Sequence, residues 1–430
     1  MPYETQNKPS PDMIRLPYGE EHLEFSPSGT RIVGIYTPDH VEPAEDPTRL
    51  IRDALDHPID SPSLTDIAAG KRNALILIDD ITRETPANIL LPPMIDDLEA
   101  AGITATNITV LIALGTHRPM SNEEILAKVG PAVLDRIEVL QHDHRTATLR
   151  DLGETPNRTP VEVNQQLFEF DLVIGTGAVV PHHIAGFSAG AKIVQPGVSG
   201  AATTAATHMF SARAETPLLG QIETPVRKEM ELIADRCGME HILNVTLNPD
   251  GQLVNARFGA MRPTFRQCVA DTRKIYGVAT AHNLDAVVAS SHPCDIEFWQ
   301  AHKSLYPAAL MVKPGGTIIV VTPCPEGVTV THRELLEYAA EPAETILHRY
   351  ETNQLDDRVA ASLAVAWARV RQHAHIMIVS DGITNGEALA LGFERSPTVG
   401  QALSKLSAAS ADQLNIGVLT HAPDTLPLLT

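Results

Sequence analysis

The chain has 430 residues, and 33 Lys+Arg against 53 Asp+Glu leave a net charge of −20. That balance argues against a nucleic-acid binder, which needs a basic surface, while 43% hydrophobic and 20% charged residues exclude intrinsic disorder. Two domains are expected at this length, because single cores stop growing at roughly 250–300 residues.

Four cysteines with no C-x-x-C pair fit a reducing cytoplasm. The opening MPYETQNKPSPDMIRLPYGEE has neither a basic start nor an apolar core, and no run of about 18 apolar residues follows. A soluble cytoplasmic protein without membrane contact is therefore expected.

Short β-branched runs alternate with helical patterns, which predicts an α/β fold. In chain order, buried strands are expected at Asn73 to Ile78, Asn107 to Leu114, Asp171 to Ile174, Leu284 to Ala289, Thr317 to Val321 and His375 to Val379. A helix should run from Thr85 to Ala101 with Thr85 as N-cap and Pro86 in its first turn, and another should begin at the capping box Ser121-x-x-Glu124. A helix around Met261 to Tyr276 should close a first domain at about residue 280, and the strand–helix pattern restarts at Leu284. The expected division is thus 1–280 and 281–430, with the last residues allowed to return to the first domain.

The polar residues follow strand ends, where open α/β sheets bind ligands. Asp79-Asp80-Ile-Thr-Arg83-Glu-Thr-Pro86 follows the first strand, and Arg83 can hold a carboxylate or phosphate bidentately, or else simply pair with Asp80. Leu114-Gly-Thr-His117-Arg-Pro119 follows the second, and a histidine there is a candidate general base or an idle surface residue. The third segment, from Asp171 to Lys192, packs a glycine-rich turn, His182, His183, Gly186, Ser188 and a solitary lysine into barely one loop. Glycines permit close approach of a cofactor, and a lysine among apolar neighbours is a candidate nucleophile. His208 lies in an Ala/Thr-rich stretch expected to be helical and is a candidate metal ligand. Gln300 and Lys303, on a helix expected to start near Asp295, share a face that suits a carboxylate. His142-Asp143-His144 would form a metal pair only on a strand and with a third ligand.

Taken together, DDITRETP (79–86), ALGTHRP (113–119), PHHIAGFSAGAK (181–192), Pro196-Gly197, His208 and WQAHK (299–303) resemble the nickel-pincer lactate racemase family. The resemblance implies two α/β domains with the active site in the cleft between them. It implies a nickel-pincer nucleotide, a pyridinium-3-thioamide-5-thiocarboxylic acid mononucleotide carrying nickel, loaded by cofactor-synthesis proteins and attached covalently to Lys192. His208 would bind nickel, His117 and His182 would be the catalytic histidines, and Asp80, Arg83, Gly186 and Ser188 would line the cofactor. Arg83, Gln300 and Lys303 would bind substrate. The implied reaction is racemisation or epimerisation of lactate or a related 2-hydroxy acid, by reversible hydride transfer through a 2-keto acid.

Two departures stand out. Ala189 replaces a second glycine of the GFSGG-like run, and Val359 to Ser362 occupy the place of a family tryptophan, with Trp367 coming later. The second departure favours a 2-hydroxy acid other than lactate. The competing readings are a zinc-dependent hydrolase or lyase using His182, His183 and His208, and a noncatalytic carboxylate- or nucleotide-binding protein.

Overall fold

Parallel strands buried on both faces should be continuously apolar, and the strands around which this fold is built are. A computed structural model of the chain describes residues 13–27 and 29–430. It divides into two compact units. The larger holds residues 38–277 and 329–368; the smaller holds the described residues up to Thr37, residues 278–328 and residues 369–430.

The larger unit has a six-stranded sheet in the order Leu253–Ala260, His241–Leu247, Leu172–Ala178, Ala74–Asp79, Ile108–Ala113, Glu138–Gln141. All pairs are parallel except the first, which is antiparallel. The chain begins the sheet at Ala74–Asp79, winds outward through Ile108–Ala113 and Glu138–Gln141, then returns to Leu172–Ala178 on the other side and winds away. The reversal leaves a crevice at the carboxyl ends of Ala74–Asp79 and Leu172–Ala178, where a doubly wound sheet binds ligands. One face is covered by the helices Pro47–Asp56 and Ala87–Ala100, whose Ile51, Leu55, Leu91 and Ile95 pack against Ile76, Ile78 and Val110 of the sheet.

The smaller unit has an all-parallel six-stranded sheet, in the order Glu394–Arg395, His375–Val379, Val312–Val321, Leu284–Ser290, Leu414–Leu419, Thr30–Tyr36. Its own reversal lies between Leu284–Ser290 and Leu414–Leu419, and the rings of His292 and His421 meet there at 5.3 Å between centroids. No helix among the described residues is long and apolar enough to cross a membrane.

The expected α/β class with two domains matches this structure, but the contiguous division at residue 280 does not. The break after Gly277 is present, yet Thr30–Tyr36 leaves the first part of the chain to hydrogen-bond Leu414–Leu419 as an edge strand of the smaller sheet. Residues 329–368 make the opposite exchange. The last residues stay in the smaller unit, because Leu414–Leu419 is an internal strand there. Strand positions came out within a few residues, and Met261–Tyr276 is a helix as expected. The helix expected from Thr85 is Ala87–Ala100 with Pro86 at its N-cap. Thr85 does not cap it: its hydroxyl donates to Asp79 Oδ2 at 2.5 Å and accepts from the Ala178 N–H at 2.8 Å, tying the two strands of the crevice together.

A hairpin, Pro181–His182 against Gly186–Phe187, follows the carboxyl end of Leu172–Ala178. Gly186 has φ +77°, and a Cβ there would lie 1.6 Å from the Gln221 carbonyl oxygen. Inside the hairpin Arg227 is buried, donating to the carbonyls of Ala185 (3.0 and 3.2 Å), Ala189 (3.1 Å) and Phe187. Its guanidinium stacks 4.3 Å from the Phe265 ring centroid. Burial pushes the Arg227 pKa down to about 10, which still leaves it charged at neutral pH. Just beyond, Ala189 holds φ +56°, a conformation natural to glycine and costing an alanine about 1–3 kcal/mol.

Two substitutions should therefore move stability in opposite directions. Arg227→Met strands three buried carbonyls and should cost about 3 kcal/mol or more, whereas Ala189→Gly should gain about 1 kcal/mol by relieving the backbone. Urea denaturation followed by far-UV circular dichroism measures both.

Candidate active site

The Asp79 to Pro86 loop leaves the crevice strand and is pinned by a residue that its sequence pattern does not announce. Lys128, buried at the end of the capped helix Asn122–Val129, donates to Asp79 Oδ1 (2.8 Å), the Asp80 carbonyl (3.0 Å) and the Arg83 carbonyl (2.8 Å). All three ammonium protons are used on one loop. Arg83 turns back on Thr82, donating to its carbonyl at 2.8 Å and to its hydroxyl at 2.9 Å.

Asp80 is the electrostatic centre. Burial acts to raise its pKa, but the charges of His117 and Arg83, with hydrogen bonds from His117 and Thr82, hold it well below the usual carboxylate range. Its Oδ2 lies 2.6 Å from His117 Nδ1, and its Oδ1 accepts the Thr82 N–H at 3.1 Å. A carboxylate only accepts, so His117 carries a proton on Nδ1 and, when neutral, a lone pair on Nε2. This is the geometry of an oriented base.

His182 has the opposite arrangement. Its Nδ1 accepts the backbone N–H groups of Ile184 (3.2 Å) and Ala185 (3.4 Å) within the hairpin turn. The neutral ring therefore carries its proton on Nε2. His117 offers a base and His182 a hydrogen-bond donor, a difference that residue type alone could not reveal.

Lys192 lies in the short 3₁₀ turn Gly190–Ile193, half-buried, and His208 on the helix Ala201–Ala212. Burial pushes His208 down to about 3, with Lys192, His117 and His332 adding positive charge and the Thr204 carbonyl opposing in part. The ring is neutral, and its Nδ1 is buried without a hydrogen bond of ordinary geometry. A neutral imidazole with an unsatisfied buried nitrogen has the form of a metal ligand. Asp80, Arg83, His117, His182, Lys192 and His208 all belong to the larger unit.

Gly186 and Ser188, expected to line the cofactor, have partners within the fold. Gly186 is required by the approach of Gln221, and the Ser188 hydroxyl donates to the Ala178 carbonyl (2.6 Å) while accepting the Val180 N–H (2.8 Å). His142-Asp143-His144 falls in the loop after Glu138–Gln141, not on a strand. His142 is consumed by the Ser199 carbonyl (3.0 Å) and Asn164 (3.1 Å). No group of three His, Cys, Asp or Glu residues close enough to hold a metal occurs among the described residues, so His182, His183 and His208 do not form the ligand set that a zinc hydrolase or lyase would need.

In the smaller unit, Gln300 on the turn of helix Phe298–Ala301 and Lys303 share a face as expected, with Lys303 Nζ donating to Gln300 Oε1 at 2.6 Å. The helix starts after Glu297, slightly later than expected. Lys303 also reaches Cys294 Sγ at 3.5 Å. The sequence reading missed Lys128 and the pair of buried His332 and half-buried Asp357, which lie 2.7 Å apart. Neither follows a strand or sits in a glycine-rich run, so no local signal marks them.

Residues 18–217 match the family model for the lactate racemase N-terminal domain, and residues 279–425 the model for the C-terminal domain. A lactate racemase of Thermoanaerobacterium thermosaccharolyticum is 31% identical over 325 residues, covering 73% of this chain and 75% of that protein. One of Lactiplantibacillus plantarum is 28% identical over 389 residues, covering 88% and 90%. The solved lactate racemase apoprotein from T. thermosaccharolyticum superimposes with a TM-score of 0.86 at 24% identity, over 97% of this chain and 100% of that one. A crystal structure of a Thermotoga maritima protein gives 0.67 at 18% identity, over 91% and 100%. With matching models over both halves and a relative above 30% identity, this chain belongs to the lactate racemase family and is an isomerase of the racemase class.

Proposed function

We propose that the protein racemises or epimerises a small 2-hydroxy acid in the cytoplasm, using a nickel-pincer nucleotide attached to Lys192 and placed there by cofactor-synthesis proteins. The observation that carries the reading is the pairing of Lys192 with His208. A half-buried amine and a neutral imidazole with an unsatisfied buried nitrogen suit a covalently tethered group whose metal needs one protein ligand. The tether would be Lys192, the nickel ligand His208. When bound, the group supplies a hydride acceptor, which spares the substrate carbon a carbanion.

The chain's own residues do the rest. Arg83, steadied by Thr82, anchors the substrate carboxylate. His117 takes the hydroxyl proton at Nε2 while Asp80 stabilises the imidazolium through Nδ1–H. His182 holds the substrate oxygen with its Nε2–H and acts as the base of the opposite direction only by giving up its two backbone contacts. Gln300 and Lys303 keep the carboxylate-binding role that the family resemblance implies. The relatives' name puts lactate first among the substrates to test. The place of the family tryptophan, taken here by the buried Val359 to Ser362, puts larger 2-hydroxy acids second.

Protein produced with the cofactor-synthesis proteins should gain the adduct mass, and Lys192→Ala should lose it while staying folded; an adduct surviving on that variant by intact mass spectrometry would remove the assignment. Asp80→Asn should lower kcat by about 10²–10⁴ with little change in KM, because the base loses its orienting anion. For His208, the unfolded ring takes a proton near pH 6.5 and the folded ring only near 3. Its contribution to stability is whole above pH 6.5 and is lost as pH falls toward 3. Chemical denaturation of unloaded protein should therefore find His208→Gln more stable than the parent at pH 5, relative to their difference at pH 8.

A further inference from the structure

Residues 329–368 bring into the larger unit a chain of polar groups that the mechanism above does not use. His332 is 3% exposed. Its Nδ1 lies 2.7 Å from Asp357 Oδ2, and its Nε2 lies 3.0 Å from Thr116 Oγ1. Burial acts to raise the Asp357 pKa, but the hydrogen bond and charge of His332 and the Ala360 N–H lower it on balance, so the group is a carboxylate at neutral pH. Hydrogen-bond directions follow from that. Asp357 can only accept, His332 Nδ1 carries the proton, and the Nε2 lone pair receives the Thr116 hydroxyl. The order carboxylate, imidazole, hydroxyl is the one that polarises a hydroxyl for proton transfer.

The pair is held on every side. The Asp357 N–H donates to Glu334 Oε2 at 2.8 Å, and Asp357 Oδ1 accepts the Ala360 N–H at 2.9 Å. The Tyr338 hydroxyl donates to the Asp357 carbonyl at 3.2 Å, and the His332 N–H to Thr329 Oγ1 at 3.3 Å. Anchoring a segment does not need this, since apolar side chains of the same volume would do so without desolvating an ion. Thr116 is the immediate neighbour of His117 at the carboxyl end of Ile108–Ala113.

We propose that Asp357, His332 and Thr116 form the proton relay of the active site. A proton reaching Thr116 Oγ1 forms a new O–H bond as the existing one breaks toward His332 Nε2. One N–H bond forms there, Asp357 stabilises the imidazolium, and no electron changes hands. The reverse sequence returns the proton. The relay rests on the racemase reading: when His117 takes the hydroxyl proton of one enantiomer the relay receives it through Thr116, and when the reaction runs the other way the relay gives the same proton back to His117. His182, held by backbone donors in its Nε2–H form, has no lone pair on Nε2 to take that proton, so it falls to the side of His117, next in sequence to Thr116.

The test uses the cofactor-loaded enzyme and the unloaded protein. Thr116→Val and His332→Gln should each lower kcat about tenfold or more with KM within about twofold, and the double variant should be no worse than the poorer single. Thr116→Ser should recover most of what Thr116→Val loses, and added imidazole buffer should accelerate the variants but not the parent. In unloaded protein, ¹⁵N NMR should find His332 protonated on Nδ1, with a downfield proton that Asp357→Asn removes. An active parent whose folded Thr116→Val variant keeps its kcat, additive losses without buffer rescue, or an Nε2-protonated His332 would each overturn the relay alone. A loaded parent that interconverts no 2-hydroxy acid would overturn the racemase reading and the relay with it.

Discussion

The larger unit depends on the parallel pairing of Ala74–Asp79 with a strand on each side, Ile108–Ala113 and Leu172–Ala178. The chain winds away from that centre in both directions, so the loops at the three carboxyl ends have no crossover between them to fill the space. Asp80, His117 and the histidine hairpin are those loops. Thr85 closes the arrangement by bonding both Asp79 and Ala178, which holds the crevice at a set width. Apolar packing of the sheet against its helices supplies the rigidity, and the loops inherit their positions from it.

Within that frame, the hydrogen-bond partner of each Nδ1 sets the proton positions of the two catalytic candidates. His117 answers to a carboxylate and His182 to backbone N–H groups, so two residues of the same kind have opposite hydrogen-bonding character. The supporting cations are spent on geometry. Lys128 is consumed on the Asp80 loop and Arg227 on the hairpin carbonyls, each buried where an unsatisfied carbonyl would be costly.

Much of this was readable in the linear chain for a simple reason. Short apolar runs such as ALILI at 74–78 and ITVLI at 108–112, alternating with helical patterns, read as buried strands of an α/β sheet, and polar residues directly after them then fall at the ligand-binding edge. The dense block from Pro181 to Lys192 named its own importance by packing histidines, glycines and a lysine into one turn. It did not show that Gly186 and Ser188 serve the backbone, because the approach of Gln221 and the bonds to Ala178 and Val180 come from distant or folded partners.

By itself the sequence determined the α/β class, most strand positions, the helix Met261–Tyr276, the capping box at Ser121 and the residues at strand ends, since each depends on neighbours within a few positions. The tertiary structure alone decided which piece of chain belongs to which unit. Thr30–Tyr36 finds its hydrogen-bond partner nearly at the other terminus, and residues 329–368 carry His332 and Asp357 to Thr116. It also decided the roles of Lys128 and Arg227 and the tautomers of His117 and His182. Those are properties of what a side chain meets in space, and periodicity and spacing carry no information about partners a hundred residues away.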